Sequence, residues 1–220
     1  MSEYTPPFQN SKIAANYPKI LKRIVNMRIQ PSEYLKKCLN INLNNQIAAL
    51  IDEHACIVTF EKGYHPIRLD EEVTSFYFIV YGIVRGYYID VAGNEVTKCF
   101  SSENCFFGSE CYRTNKCSTF YVECLEDCTC IKFPYSLVRE MISLDQQFKN
   151  DIERLYFDEV ERLENRTKNL LLLSAEERYI FFCKEYPNLQ KRLPLKYIAS
   201  YIGIKAGSMS RIRKKLKNQT

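Results

Sequence analysis

The chain has 220 residues and a formal net charge of +5, from 31 basic and 26 acidic side chains. Its hydrophobic fraction of 46% is enough to bury a substantial core. No run of about 18 apolar residues is present, which excludes a membrane-spanning helix and predicts no membrane partner. The first residues lack a basic region followed by an apolar stretch, so we expect no secretory signal and a cytoplasmic protein.

The segment from Ile13 to Leu50 is helical in pattern and is interrupted by Pro18 and Pro31. After it, five of the seven glycines lie between residues 63 and 108, among short runs rich in β-branched and aromatic residues. Such clustering indicates tight turns in an all-β unit, and residues 90–94 are typical of a hairpin turn. We predict a β-sandwich or barrel-like roll over roughly residues 50–135. Its strands would be Cys56–Phe60, Ser75–Tyr81, Ile83–Ile89, Glu95–Phe100, Thr119–Cys124 and Cys128–Phe133.

Ten cysteines are present, yet none forms a Cys-x-x-Cys pair, and only His54 and His65 could complete a zinc site. Disulfides are rare in cytosolic proteins, so we expect buried free thiols and no metal site. In one unbroken strand, Cys124, Cys128 and Cys130 would share a face as small hydrophobic residues. A redox-, metal- or haem-responsive sensor that uses the cysteine-rich roll is the alternative function.

Neither glycine nor proline occurs between residues 135 and 186. Mostly apolar positions recur there at steps of three and four residues, which keeps one stripe on one helix face for about six turns. Such a stripe could pack on its own domain or form the seam of a coiled-coil-like dimer, and we favour the dimer. The stripe consists of Phe148, Ile152, Tyr156, Val160, Leu163, Thr167 and Leu170.

Ser174 and Glu177 are spaced as a capping box, from which a further helix would run from about residue 175 to 186. After Glu185 the charge becomes one-sided, with nine bases and no acid, whereas the rest of the chain carries 22 bases against 26 acids. Positive charge concentrated at one end of an otherwise acidic chain predicts a surface for a polyanion.

The basic segment also has the pattern of a helix–turn–helix. Pro194 suits the first turn of the leading helix, and Gly203 suits the turn between the helices. Apolar residues interleave with the bases and would form a small shared core. These residues are Ile198, Ala199 and Ile202 in the first helix, then Ile204, Met209 and Ile212 around the second.

This pattern predicts binding of double-stranded DNA rather than a solvated basic tail. Ser208, Arg211 and Lys215 would share the face that a recognition helix presents to a major groove. Arg211 could bridge guanine O6 and N7, and Ser208 could reach a phosphate or a base edge. The predicted DNA-binding residues are Lys196, Lys205, Ser208, Ser210, Arg211, Arg213, Lys214 and Lys215.

The run Ile198-Ala-Ser-Tyr-Ile-Gly-Ile204, followed by Ser208-Met-Ser-Arg-Ile-Arg213, resembles the helix–turn–helix of the Crp/Fnr transcription regulators. It is especially similar to the branch found in Bacteroidetes. Phe106–Glu110 and Glu123–Asp127 resemble the cyclic-nucleotide-binding-like roll of that family. The resemblance implies a homodimer joined along the long helix, an effector-sensing roll, and base contacts from Arg211. Ala206 and Gly207 replace an arginine and a glutamate that relatives often carry, so a different operator preference is expected.

The resemblance also locates a ligand site and indicates how it differs. Members that bind cyclic AMP carry a glutamate directly after a glycine, but Gly108 is followed by Ser109, with Glu110 one place late. A slip of one residue in a strand points a side chain to the opposite face. The phosphate-binding arginine position falls on Cys117, beside Ser118, so a bidentate phosphate contact is lost. We therefore expect no cyclic AMP binding, and leave a small-molecule effector and any cofactor unidentified.

The predicted fold is α+β. The expected domains are a cyclic-nucleotide-binding-like β-roll with N-terminal helices (1–143), a long dimerisation helix (144–172) and a helix–turn–helix DNA-binding domain (173–220). The predicted function is a dimeric DNA-binding transcription regulator. An enzyme is not expected, because the sequence contains no nucleophile motif and no phosphate-cradling loop. An Fnr-type iron–sulfur site is not expected either, because the first 37 residues lack cysteine.

Overall fold

The computed structural model of the chain describes residues 30–39, 41–112 and 116–217. Residues 13–29 of the predicted N-terminal helical segment lie outside this range. The described residues form two compact units. The first unit contains the chain up to Val84 together with Phe100–Ile152, and the second contains Arg85–Cys99 together with the chain from Glu153 onward.

The described chain begins with helices and continues through strands into further helices. The first helices are α1 (Pro31–Leu39) and α2 (Asn45–His54). The strands are β1 (Cys56–Phe60), β2 (Ser75–Tyr81), β3 (Val84–Ile89), β4 (Glu95–Ser101), β5 (Phe106–Phe107), β6 (Tyr121–Cys124) and β7 (Cys128–Pro134). The remaining helices are α3 (Tyr135–Leu144), α4 (Gln146–Leu172), α5 (Ala175–Glu185), α6 (Leu189–Arg192), α7 (Leu195–Tyr201) and α8 (Ala206–Lys217). The predicted α+β class is confirmed, and each predicted strand is present within two residues at either end.

The first unit is built on a four-stranded antiparallel sheet in the order β1-β7-β2-β5. Alternate residues of its central strands face opposite sides, because side chains alternate with a period of two along a strand. Phe78 of β2 and Ile131 of β7 face the helices, whereas Ile79 and Cys130 face the interior of the roll. The sheet is therefore buried on both faces, which explains why its strands read as nearly continuous apolar runs.

Helices α1, α2 and α3 cover the outer face of this sheet. The Asn44 side chain caps α2 by accepting the Ile47 N–H at 2.8 Å, and this leaves Ile47 and Ile51 buried against the sheet. The Ser32 hydroxyl and N–H both donate to the Asp52 carboxylate, at 2.7 and 2.9 Å, which ties α1 to α2. The interior face is closed in part by Cys124, Cys128 and Cys130, which are fully buried as predicted.

The second unit combines the hairpin of β3 and β4 with helices α5 to α8 and most of α4. The predicted hairpin turn is present: the Asp90 carboxylate accepts the N–H groups of Ala92 and Asn94, at 2.9 and 2.8 Å. The predicted capping box at the start of α5 is confirmed as well. Glu177 accepts the Ser174 N–H at 2.8 Å, and Ser174 accepts the Glu177 N–H at 3.3 Å.

The predicted continuous stripe from Phe148 to Leu170 is divided in the structure. The helical stretch breaks between α3 and α4, where the Asp145 carboxylate accepts the Phe148 N–H at 2.9 Å and so starts a new helix. Phe148 is buried in the core of the first unit, and Ile152 packs against that core. The rest of the stripe does not belong to that core. The sequence pattern missed this division because periodicity shows that a helix face is apolar but not which neighbour each turn contacts.

None of the helices in the described part of the chain is long and apolar enough to cross a membrane.

Candidate nucleic-acid interface and effector roll

Helices α7 and α8 form a helix–turn–helix around a small apolar core. Ile198, Ala199 and Met209 are almost completely shielded from solvent, as the sequence predicted. Gly203 has a φ of +74°, which favours glycine, and its N–H donates to the Ser200 carbonyl at 3.1 Å. Pro194 lies at the N-cap, one residue before the predicted first turn, so its missing N–H costs no helical hydrogen bond.

The exposed face of α8 differs from the predicted face. Buried Met209 and half-buried Ile212 define the inner side, so the opposite side is centred on Gly207, Arg211 and Lys214, four and three residues apart. Ser210 is also exposed next to this line. Of the three predicted contact residues, Arg211 lies near the centre of this exposed side, Lys215 is exposed at its edge, and Ser208 is half-buried beside the inner side.

The remaining predicted DNA-binding residues around this face differ in solvent exposure and in whether their charge is already paired. Lys196 and Lys205 are exposed, and the Lys196 ammonium lies 4.6 Å from the centre of the Tyr197 ring. Arg213 is half-buried. The Lys215 ammonium lies 2.6 Å from the Glu176 carboxylate of α5, so its charge is partly neutralised within the protein. The basic face is strongest at Arg211 and Lys214.

Three arginines that the sequence did not single out hold this module together. The Arg178 side chain donates to the carbonyls of Ile202 and Leu173, at 2.8 and 2.7 Å, and so links the end of α7 to the end of α4. Arg166 donates to the Tyr201 carbonyl at 3.2 Å, and its guanidinium lies 4.5 Å from the Tyr201 ring centre. In the sequence both resemble the other charged positions of long helices, so no local signal identifies them.

The third arginine, Arg85, is fully buried in the hairpin of β3 and β4. Its guanidinium lies between the rings of Tyr87 and Tyr197, 4.4 and 3.9 Å from their centres, and contacts Glu95 at 2.5 Å. The Thr97 N–H of the same hairpin donates to the Ser200 hydroxyl at 2.8 Å. The hairpin therefore fixes the position of α7, from which the turn to α8 starts.

Beyond its first turns, α4 exposes a row of large apolar side chains. Phe157, Leu171 and Leu172 are 68, 78 and 72% exposed, and Tyr156 is 50% exposed. A groove of about 550 Å³ runs along this helix and is lined by residues of α4 alone, among them Val160, Leu163 and Thr167. An apolar groove that one helix makes by itself is typical of half of an interface.

The predicted ligand residues of the roll lie near the two ends of the connection between β5 and β6. Gly108 has a φ of +88°, and a Cβ there would lie 2.8 Å from the Ser75 carbonyl oxygen, so the position requires glycine. Ser109 is half-buried, whereas Glu110 and Cys117 are exposed. Ser118 is buried, but its hydroxyl donates to the Phe120 carbonyl at 2.8 Å and is already occupied.

Aromatic side chains fill the interior of the roll beside these residues. Phe107 and Phe120 are 6 and 3% exposed, and the Phe107 ring stacks on Tyr77 with 4.8 Å between ring centres. Ile67 and Val122 belong to the same cluster. Since the interior is packed with side chains, a ligand would have to displace aromatic contacts in order to enter it.

Two buried cysteines, Cys124 and Cys130, are held as thiols. A hydrogen bond with Cys128, followed by burial, raises the pKa of Cys124, and burial raises the pKa of Cys130. Because the thiolate is the reactive and metal-binding form, both effects suppress thiol chemistry at neutral pH. No group of three or more metal-binding side chains is found among the described residues.

Comparison with known proteins gives a matching domain family for part of the chain, and a fold. The cyclic nucleotide-binding domain family matches residues 57–145. No curated protein matches the chain in sequence. FixK2 from Bradyrhizobium japonicum is similar in structure, with a TM-score of 0.68 and 20% identity over 75% of this chain and 85% of its own.

Two further solved structures agree with this fold. A protein from Eubacterium rectale assigned to the Crp/Fnr family has a TM-score of 0.65 at 14% identity, over 80% of this chain and 85% of its own. The c-di-GMP-responsive global regulator CLP from Xanthomonas campestris has a TM-score of 0.62 at 11% identity, over 80% of this chain and 93% of its own. These matches confirm the fold that the resemblance to Crp/Fnr regulators implied.

Proposed function

Since the chain has the fold of the Crp/Fnr transcription regulators and contains a cyclic nucleotide-binding domain at residues 57–145, we propose that it is a homodimeric, DNA-binding transcription regulator that acts in the cytoplasm. The observation that carries this proposal is the exposed basic face of α8, held on a buried apolar core by α7. The predicted division into roll (1–143), long helix (144–172) and DNA-binding domain (173–220) belongs to the same proposal.

The chemistry of α8 suits a duplex. The helix contains five bases and no acid, so its field attracts phosphates over its whole length. Arg211 projects from the exposed face and can present two parallel N–H groups to guanine O6 and N7. Ser210, Lys214 and the exposed Lys205 are placed to contact the backbone on either side. Lys196, at the start of α7, extends the same basic surface.

We propose that a second copy of this chain covers the groove on α4. The exposed apolar row from Tyr156 to Leu172 repeats at helical spacing, as required for a self-complementary two-fold seam. Two copies would bring two α8 helices together. Their half-sites on the duplex would lie about 34 Å, or one helical turn, apart.

We also propose that the roll does not bind cyclic AMP. The support is threefold: Cys117 stands at the phosphate-binding arginine position, Ser109 follows Gly108, and Phe107 and Phe120 occupy the interior. Without a guanidinium, the phosphate would lose the charge-assisted pair that offsets its desolvation. The raised pKa values of Cys124 and Cys130 argue against thiol chemistry at these two positions, which the alternative of a thiol-based sensor would draw on.

The test is selection of duplexes from a random DNA pool, followed by titration of the selected duplex by fluorescence anisotropy. We expect a near-palindromic sequence and a steep loss of affinity with salt, of about 10³-fold between 50 and 200 mM for about six phosphate contacts. A pool that shows no enrichment, or binding that does not respond to salt, would refute DNA reading.

A further inference from the structure

A recess at the open end of the four-stranded sheet has no role in the function proposed above. It has a volume of about 440 Å³ and is lined by Thr74, Ser75, Lys116, Lys132, Ser136 and Arg139, together with Glu72 and Tyr135. We name it the basic recess. All of these residues belong to the first unit. None of the ligand residues predicted in the roll lines it, so it is a different site from the one that the family resemblance implies.

The charge of the basic recess is one-sided. Three of its lining residues, Lys116, Lys132 and Arg139, are cationic and one, Glu72, is acidic. The Arg139 guanidinium also donates to the Tyr112 carbonyl at 3.4 Å. Glu72 is exposed and makes no ion pair with any described residue, so it does not neutralise the lysines. The volume of the basic recess lies within the range of about 300–1,000 Å³ that is usual for small-molecule sites.

Lys132 is the residue that makes this recess unusual. Cys128 and Cys130 of the same strand face the interior of the roll, and Lys132 follows them at the same spacing of two residues. It therefore points from an otherwise apolar face into the recess, where it is partly buried. Among the described residues no carboxylate pairs with it. A partly buried ammonium without a counter-ion is destabilised by desolvation, and a bound anion would remove that cost.

Ser75 is a second polar residue in the wall of the recess. It is only 3% exposed. A hydroxyl in the wall of a cavity can donate a hydrogen bond to an oxygen bound there. Ser75 lies opposite Pro134 in the register of β2 and β7, which places its hydroxyl beside the start of α3.

The start of α3 supplies further donors. Pro134 at the N-cap offers no side-chain acceptor, and the first turn of α3 contains no acidic residue. The Tyr135 N–H is satisfied by the Thr74 carbonyl at 2.8 Å, whereas the Ser136 hydroxyl is exposed at the recess. Arg139 follows one turn later on the same side. The helix start adds favourable electrostatics for a negative charge in a recess that is already cationic.

From these observations we propose that the basic recess binds a small oxyanion ligand, a molecule that carries a phosphate or carboxylate group. Lys132 would supply a partly buried counter-charge, and Ser75 would donate a hydrogen bond to an oxygen of the bound anion. Arg139 and Lys116 would close on the anion from the exposed side. The site requires no change in the packed aromatic interior of the roll.

The test is isothermal titration of the full-length protein with two probes, inorganic pyrophosphate and citrate, at low ionic strength. We expect one site per chain for at least one probe. Lys132→Gln should weaken binding about tenfold or more, and Ser75→Ala about three- to tenfold, which are the effects of losing one charge-assisted contact and one hydrogen bond. Binding of pyrophosphate alone identifies a phosphate ligand, and binding of citrate alone identifies a polycarboxylate.

Two control variants test whether binding is specific to the basic recess. Lys62→Gln removes the same charge from an exposed lysine of the first unit outside the recess, and should leave affinity unchanged. Arg211→Gln tests whether the anion binds the DNA-reading face instead. Arg139→Gln, at an exposed position, replaces Lys132→Gln should that variant melt early. The proposal is overturned if neither probe binds, if Lys132→Gln and Lys62→Gln behave alike, or if only Arg211→Gln abolishes binding. DNA binding tested separately is unaffected by any of these three outcomes.

Discussion

Arg211 is the side chain on which DNA reading depends most in our proposal. It is exposed on the face of α8 opposite Met209. Its guanidinium donates to the Ser208 hydroxyl at 3.4 Å, a contact weak enough to be exchanged for a base. Lys215, by contrast, lies 2.6 Å from Glu176 and would have to break an ion pair before contacting a phosphate. Spacing along the sequence places both residues on one predicted face, whereas the folded helix separates them by their distance from the centre of the exposed side and by their partners.

For Arg211→Gln we expect the affinity for the selected duplex to fall by about 10- to 100-fold, since a bidentate arginine–guanine contact is worth about 1–3 kcal/mol. Affinity for unrelated duplexes should fall much less. Fluorescence anisotropy with the selected and a scrambled duplex measures both. Lys184→Gln is the matched control, because it removes one exposed charge from α5 of the same unit. Equal losses in the two variants would show that Arg211 contributes charge only.

At the scale of single elements, α4 shows how far a periodic pattern can be interpreted. Steps of three and four residues predict one stripe correctly, but its first part, Phe148 and Ile152, belongs to the core of the first unit. The later part remains partly exposed, with Tyr156, Leu163 and Leu170 at 50, 36 and 37%. A helical pattern records that a face is apolar, and the identity of the neighbour on that face depends on residues far away in the chain.

We expect Leu171→Asp to weaken the proposed dimer about 100-fold or more, because a carboxylate would be buried in an apolar seam without a partner. Analytical ultracentrifugation over a concentration series measures the shift towards monomer. Since Leu171 is exposed in the single chain, its melting temperature as a monomer should change little. Val91→Asp, on the exposed hairpin turn, is the control for an apolar-to-acidic change. A wild-type chain that sediments as a monomer would contradict the seam on α4.

At the scale of the whole molecule, the fold of the roll and the side chains at its predicted ligand site can be considered separately. Residues 57–145 match the cyclic nucleotide-binding domain family, and in our proposal Cys117 and Ser109 stand where relatives that bind cyclic AMP carry an arginine and a glutamate. Phe107 and Phe120 occupy the interior. In our proposal the roll keeps its fold without these contacts. Three cationic side chains, those of Lys116, Lys132 and Arg139, line the basic recess instead.

We expect cyclic AMP at about 1 mM to leave the thermal unfolding midpoint unchanged. A ligand with a Kd of about 10 µM would at that concentration raise the free energy of unfolding by about 2.7 kcal/mol, which a thermal scan detects. Selected DNA should raise the midpoint of the same preparation, which shows that the assay responds to binding. A saturable shift with cyclic AMP would show that the packed aromatic interior opens, and that a group other than an arginine at position 117 holds the phosphate.

Local patterns were sufficient for much of this protein. Short runs rich in β-branched and aromatic residues, set among clustered glycines, predicted the strands of the roll, and the Ser174–Glu177 spacing predicted a capping box that is present. Interleaved apolar residues predicted the core of the helix–turn–helix, with Met209 at its centre. These features depend on neighbours within a few residues, so composition and spacing determine them.

Tertiary structure alone decided which polar groups have partners. Arg85 is buried between Tyr87 and Tyr197, which lies 112 positions further along the chain by number, and no local pattern predicts that arrangement. Lys132 and Ser75 likewise belong to different strands, and they reach one recess only through the register of β2 and β7. The physical reason is that periodicity reports the average environment of a face, whereas charge pairing and hydrogen bonding depend on individual atoms brought together by the folded chain.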